Sequence, residues 1–335
     1  MRRTTVTGFA LLAFVFTACG TGGPSGGSAR PEILAIVPAS GAVGVRDDAN
    51  IRISFSQPMD RASVEAAYVS FADGLRRDQV AFVWNANSTL VTVDPKGPLS
   101  YAAAPAAPVT YTFLIGASAQ AQGGGKLAET TSSFRTARRY TTTLNGQAAL
   151  DGYTSDQEAA YSNGVTGGTS ARVGGMSDIA PSGYVTVSVR GFFSFDLSSL
   201  PPGLLPEDVS SAALTLQQTL VYPASAYTDM STAPEQLVLE HVRYGDRLNI
   251  KSFSAPVLDV VSPAFSKDAA LGARQADVTA AVRADLQDPA ASGGRTQYRL
   301  RFGRDGVPGA YGFAEFGTAE DAAHAPALQL GYLAP

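Results

Sequence analysis

Short runs of alternating apolar and polar residues, closed by turn residues about every ten positions, recur along this chain from Pro31 to its end. No stretch carries the sustained spacing of a long amphipathic helix, so the apolar faces must be buried by stacking sheets. In Ile51-Arg-Ile-Ser-Phe55, Ile51, Ile53 and Phe55 fall on one side and Arg52 and Ser54 on the other. The chain's 34 Gly and 20 Pro supply the turns between such runs. An apolar fraction of 45% excludes wholesale disorder, and 335 residues are enough for two domains with separate cores. The expected fold class is therefore all-β, with two successive sandwiches.

The first residues carry an address. Arg2 and Arg3 precede the apolar stretch Phe9–Phe16, long enough for a secretory signal and too short to cross a bilayer. Thr17-Ala18-Cys19-Gly20 then resembles the bacterial lipoprotein signal. That resemblance implies cleavage after residue 18, acylation of Cys19 and a lipid-anchored cell-envelope protein; Gly20 in place of an aspartate implies delivery to the outer membrane. Cys19 is the sole cysteine, so no internal disulfide or cysteine-rich zinc site can form. Residues 19–30, rich in Gly and Ser, read as a flexible tether. The formal net charge of −4 and the lack of a basic block exclude nucleic acid as the expected partner.

The first folded region is expected over 31–137, with strands at Ile51–Phe55, Val80–Trp84, Thr89–Val93, Val109–Ile115 and Ser133–Thr136. Pro58 ends the first of these, and Asp60 is placed to cap a short helical turn through Val64 and Ala67. The tract Asp48-Ala-Asn-Ile-Arg-Ile-Ser-Phe-Ser-Gln-Pro-Met-Asp60, with Tyr111–Gln120 and the closing Ser133-Phe-Arg-Thr136, resembles the bacterial Ig-like domain of S-layer and other surface proteins. Such a domain implies a spacer or presentation role. The Ala/Pro-rich stretch Leu99–Pro108 departs from the family pattern.

The second region is expected over 140–335, with strands including Val185–Val189, Ser211–Gln217, Leu237–Val242, Val257–Val261, Tyr298–Phe302 and Ala327–Tyr332. Alternation in the Tyr298 run assigns Arg299 and Arg301 to its solvated side, and Asp277 should cap one helix through Val278, Ala281, Val282 and Leu286. So many strands with few helices point to a larger jelly-roll sandwich. The order Asp151-Gly-Tyr, then Arg190-Gly-Phe-Phe-Ser-Phe-Asp-Leu-Ser-Ser-Leu-Pro201, then Val209–Leu216, Asp277–Val282 and Phe313–Glu320 resembles the DNRLRE-type carbohydrate-binding module. This implies a polysaccharide or cell-wall glycan as partner and a structural calcium ion near Asp151. The insertion Ser225–Pro234 reads as a polar loop.

Sugar recognition uses flat aromatic faces with a few polar groups, which makes Tyr153, Tyr161, Tyr222, Tyr227 and Tyr311, all in loop-like surroundings, the candidate contacts. Catalysis is not expected. His241 and His324 stand far apart and read as structural, while Glu315, Glu320 and Asp321 are the carboxyls a glycosidase would need but sit in a Gly/Ala-rich loop. The reading is thus a non-catalytic envelope lipoprotein presenting a glycan-binding jelly roll on an Ig-like spacer. Its alternatives are a structural or protein-binding surface component and a polysaccharide-degrading enzyme.

Overall fold

A computed structural model describes residues 30–157, 164–180, 183–232, 235–304 and 311–335. The signal at 1–18, Cys19, all of the tether but Arg30, and Tyr161 lie outside the described residues.

The first region contains β1 (Ile33–Val37), β2 (Ile51–Phe55), α1 (Arg61–Ala67), β3 (Tyr68–Val69), β4 (Val80–Trp84), β5 (Leu90–Pro95), β6 (Ala102–Ala103), β7 (Thr110–Ile115) and β8 (Thr130–Arg135). Two antiparallel sheets form, ordered β1-β2-β5-β4 and β3-β7-β8. Ile51, Ile53 and Phe55 are buried while Arg52 is exposed, because a period of two puts alternate side chains on the core face. They join Val91 and Val93 from the same sheet and Tyr111, Phe113 and Phe134 from the other in one core. Asp60 caps α1 as the sequence predicts, its Oδ1 accepting the Ser63 N–H at 3.1 Å.

The second region opens with β9 (Arg138–Asn145), β10 (Gly152–Ser155), β11 (Ser170–Ala180), β12 (Gly183–Asp196), β13 (Val209–Tyr222), α2 (Ala226–Asp229) and β14 (Leu237–Val242). It continues through α3 (Ile250–Phe253), β15 (Val257–Ser266), β16 (Gly272–Asp277), α4 (Thr279–Gln287), α5 (Pro289–Ser292), β17 (Arg295–Phe302), β18 (Gly312–Gly317) and β19 (Ala327–Ala334). One ladder runs β15-β14-β17-β12-β11-β18-β13-β19-β9, with β10 on β12 and β16 on β13. The long strands change partners along their length. β12 pairs with β11 up to Val189 and with β17 from Gly191, while β13 pairs with β19 through Thr215 and with β18 from Gln218. This curls the sheet over itself, so that Phe193, Phe195, Tyr298, Leu300 and Phe302 share a core with Leu214, Leu216, Phe316, Leu328 and Leu330. The protein is all-β: an Ig-like sandwich followed by a larger jelly-roll sandwich.

Three local expectations are corrected. Arg299 is buried rather than solvated, because the α3 segment lies across the outer face of β17. Its Nη1 donates to the carbonyls of Phe253 (2.8 Å) and Ala255 (2.9 Å), and its Nε to Glu240 Oε2 (2.8 Å). Arg301 is partly buried, bound to Glu240 and Glu235. The segment expected as a polar loop from Ser225 instead makes α2 and buries Ala226, Tyr227 and Met230. Finally, α4 starts one residue later than expected, with Val278 at its N-cap; Asp277 still serves its first turn, accepting from Thr279 N (2.8 Å) and Oγ1 (2.6 Å).

The departure at Leu99–Pro108 has a structural use. Within it, β6 pairs in parallel with β9, Ala102 opposite Arg138 and Ala103 opposite Arg139, and so completes the edge of the second region's sheet. Arg139 lies over the Tyr101 ring at 5.5 Å, and Arg46 meets Asp208 at 2.6 Å across the same junction.

Candidate functional site

The predicted tyrosines meet different fates. Tyr227 lies on the buried side of α2, its hydroxyl donating to Gln218 Oε1 at 2.5 Å, and its ring meets Phe302 edge-on; it is a core residue and not a sugar contact. Tyr153 lies on β10 rather than in a loop and is likewise buried, in a small cluster with Met176, Val187 and Val189. Tyr222 and Tyr311 are 54% and 42% exposed, and their rings stand at right angles, 6.3 Å apart.

Strand register explains why they meet. Tyr222 at the end of β13 faces Phe313 on β18 directly, with ring centroids 6.0 Å apart, and Tyr311 is the residue just before β18. Two residues along the same face, Leu220 pairs with Glu315, and on the other flank of β18 Glu315 faces Arg172 of β11. Arg172 Nε donates to Glu315 Oε1 at 2.7 Å. Its guanidinium lies 5.6 Å from the Phe313 ring and 5.8 Å from the Tyr153 ring. The result is a face with two exposed tyrosines at one end, a phenylalanine in the middle and a neutralised Arg–Glu pair beside it. Such a face offers ring surfaces for apolar sugar faces and both a donor and an acceptor for hydroxyls. Phe313 and Arg172 were not singled out by the sequence; the signal for them is alternation, which puts Phe313 and Glu315 on the face opposite the buried Ala314 and Phe316.

Asp151 is fully buried at the foot of β10. Its Oδ1 accepts the Ser194 N–H at 2.9 Å, while its Oδ2 meets no hydrogen-bond partner. Burial pushes its carboxyl up to about 8; the Ser194 N–H pulls the other way, and the charge of Glu320 adds to the rise. The Oε2 atom of Glu320 is also buried without a partner. Each of these oxygens is held out of water without a hydrogen-bond donor, which is costly for a charged carboxylate and, at Asp151, favours the protonated form. Hard oxygen ligands suit calcium, so the residues present fit the ion that the sequence resemblance implies. Among the described residues no three His, Cys, Asp or Glu side chains converge as a metal-binding group, so neutral oxygens would have to complete the shell.

The remaining titratable groups have separate partners. His241 is buried, its Nε2 lying 2.7 Å from Asp285 Oδ2, and Arg243 occupies the other Asp285 oxygen at 2.9 Å. His324 Nδ1 lies 2.7 Å from Asp321 Oδ2. Glu315 is held by Arg172, so the three candidate carboxyls are not presented as a common set. A cleft of about 510 Å³ opens between β15 and α4, lined by Ser210, Asp259, Asp277 and Arg283 among others, and it holds no aromatic side chain.

Fold and face together define a two-module β protein, an Ig-like sandwich joined to a jelly roll with an exposed aromatic surface. Residues 27–136 match the family model described as the bacterial Ig-like domain, so the first module is one. No curated protein matches the sequence. Among solved structures, the N-terminal part of the bacterial S-layer protein SbsC is similar at 12% identity, over 49% of this chain and 40% of that one, with a TM-score of 0.23. SGBP-B from a complex xyloglucan utilization locus in Bacteroides uniformis is similar at 10% identity, over 89% and 72%, with a TM-score of 0.21. Wild-type BuGH86 in complex with neoagarooctaose is similar at 7% identity, over 87% and 33%, with a TM-score of 0.23. Superpositions this loose carry no functional argument. Among the described residues no helix is long and apolar enough to cross a membrane.

Proposed function

We propose that this is an exported, lipid-anchored protein of the bacterial cell envelope, in which the Ig-like module is a spacer and the jelly roll binds a polysaccharide without catalysing its cleavage. The observation that carries the reading is the convergence of Tyr222, Tyr311 and Phe313 on one exposed face beside the Arg172–Glu315 pair. Because the Arg172 charge is matched by Glu315, the face is better suited to an uncharged glycan than to a polyanion. The lipoprotein-like signal ending at Cys19 supports anchoring at the outer membrane, and the bacterial Ig-like domain supports a surface location. Calcium, held in part by Asp151, is the expected cofactor, with a structural role.

The test is binding of the full mature chain to a panel of neutral and acidic polysaccharides, by affinity electrophoresis and calorimetry, with calcium present. Binding of at least one neutral glycan that the Tyr222→Ala, Tyr311→Ala double variant loses is the expected result; a panel with no binder rejects the reading. A protein-binding surface component is the second reading, favoured by Phe71. This ring is 90% exposed on the Ig-like module, beside a cleft of about 380 Å³ lined by Val69, Ala72 and Leu114. Cross-linking in the native envelope that captures a partner through Phe71, with no glycan bound, would select it.

A further inference from the structure

Residues two apart on a strand share a face and point the same way. Between Tyr311 and Phe313 that regularity is broken by Gly312. Its φ is +140°, a conformation that residues with a Cβ rarely adopt, and its surroundings are crowded on two sides. A Cβ on Gly312 would stand 2.9 Å from the Ala226 Cβ of α2, and one on Gly174 of β11 would collide with the Gly312 carbonyl oxygen. The chain is thereby swung at the entry to β18, and the Tyr311 ring stands at 88° to the Tyr222 ring. Phe313 extends neither plane: it is half-buried, inclined by 46° to Tyr222, and the Arg172 guanidinium lies over it. The open ring surfaces are those of Tyr222 and Tyr311, two walls of a corner with centres 6.3 Å apart.

We infer that this corner selects neutral glycans whose chains coil and discriminates against flat ribbons, a refinement that rests on the functional reading above. A pyranose stacked on one wall turns its edge to the other, so the next sugar reaches the second wall only if the two sugar rings are turned sharply against each other. Linkage stereochemistry decides this. A β-1,4 link between equatorial positions keeps successive rings close to one plane; such a ribbon lays a ring face on one tyrosine and is carried past the other. An axial α-1,4 link, or a β-1,3 link, turns each ring against the last, and places consecutive sugars on Tyr222 and Tyr311. The separation of 6.3 Å is comparable with a single step along a sugar chain, so the two contacts fall to adjacent residues of the ligand.

The experiment uses the full mature chain and oligosaccharides of equal length: maltohexaose and laminarihexaose, which coil, against cellohexaose and β-1,4-mannohexaose, which are flat. Calorimetry of the parent protein and of Tyr311→Ala gives the affinities, and thermal melts check that the variant is folded. The parent should bind at least one coiled chain about tenfold more tightly than either flat one, as expected when two stacking contacts are made in place of one. Tyr311→Ala removes one wall and leaves Tyr222 as a lone platform, so the preference should shrink to about twofold or less. A flat chain bound as tightly as the coiled ones overturns the inference and leaves the glycan reading standing, and so does a preference that Tyr311→Ala does not reduce. Failure of both coiled chains while another neutral polysaccharide binds has the same meaning. A full panel with no binder rejects the glycan reading and this selectivity with it.

Discussion

The Ig-like module and the jelly roll are both built by alternation, yet they treat the polar half of the pattern differently. In the first module Arg52, opposite Ile51 and Ile53, is exposed, and the charged side chains lie on the surface. In the second, Glu240, His241, Arg299, Asp285 and Asp151 are all buried. For Glu240 and Arg299 the cause is geometric. A sheet covered on one side follows the rule of apolar inside and polar outside, whereas β14 and β17 have the core on one face and the α3 segment across the other. Polar groups trapped there must find partners, as Arg299 does in Glu240 and in the Phe253 and Ala255 carbonyls.

The largest effect that would sharpen this contrast is expected at Glu240. Replacing it by alanine leaves Arg299 buried without its carboxylate and should cost about 3–5 kcal/mol, read as a lower urea midpoint for the second module. Asp60→Ala, which removes a helix cap in the first module, should cost about 1 kcal/mol. Equal losses would break the comparison.

A second contrast is in pH. Asp151 rises on folding from an ordinary carboxylate value to about 8, so between roughly pH 4 and pH 8 the folded state holds a proton that the unfolded chain has released. The stability this contributes is full below the unfolded value and lost as pH rises through the folded one. In chelator, the melting midpoint of the second module should therefore fall by several degrees as pH is raised from about 5 to 8. Asp151→Asn should flatten the trend. A slope of the opposite sign in the parent protein would contradict the buried, metal-free carboxylate.

Smaller effects are expected at the aromatic face. Tyr222→Ala or Tyr311→Ala should each weaken glycan binding by about 1 kcal/mol, roughly five- to tenfold, with little loss of stability. Tyr227→Phe should do the reverse: its hydroxyl serves Gln218 inside the core, so stability falls by about 1 kcal/mol while affinity holds. Calorimetry and thermal melts on the same variants separate the two.

Much of the fold was legible because strands with one buried face write a period of two into the sequence. Leu237–Val242 and Val80–Trp84 are read with their observed ends. The errors fall where tertiary cover replaces solvent. Arg299 was misplaced because nothing local in Tyr298–Phe302 announces α3, whose Phe253 arrives from another part of the chain. Of the tyrosines, Tyr222 and Tyr311 meet through the pairing of β13 with the strand that follows Tyr311, while Tyr153 and Tyr227 look equally polar in sequence and are buried by neighbours distant in the chain. Asp151 was legible as a residue of interest, but its burial against Ser194 was not, since only the pairing of β10 with β12 brings the two together.

The parallel pairing of Ala102 and Ala103 with Arg138 and Arg139 has a mechanical consequence. An Ig-like module that lends its own backbone to the neighbouring ladder works as a bracket instead of a string, and peptide hydrogen bonds, backed by the Arg46–Asp208 bridge, resist hinging at the joint. A load on the jelly roll is then passed on to the Ig-like module as torque instead of being taken up by rotation at the joint.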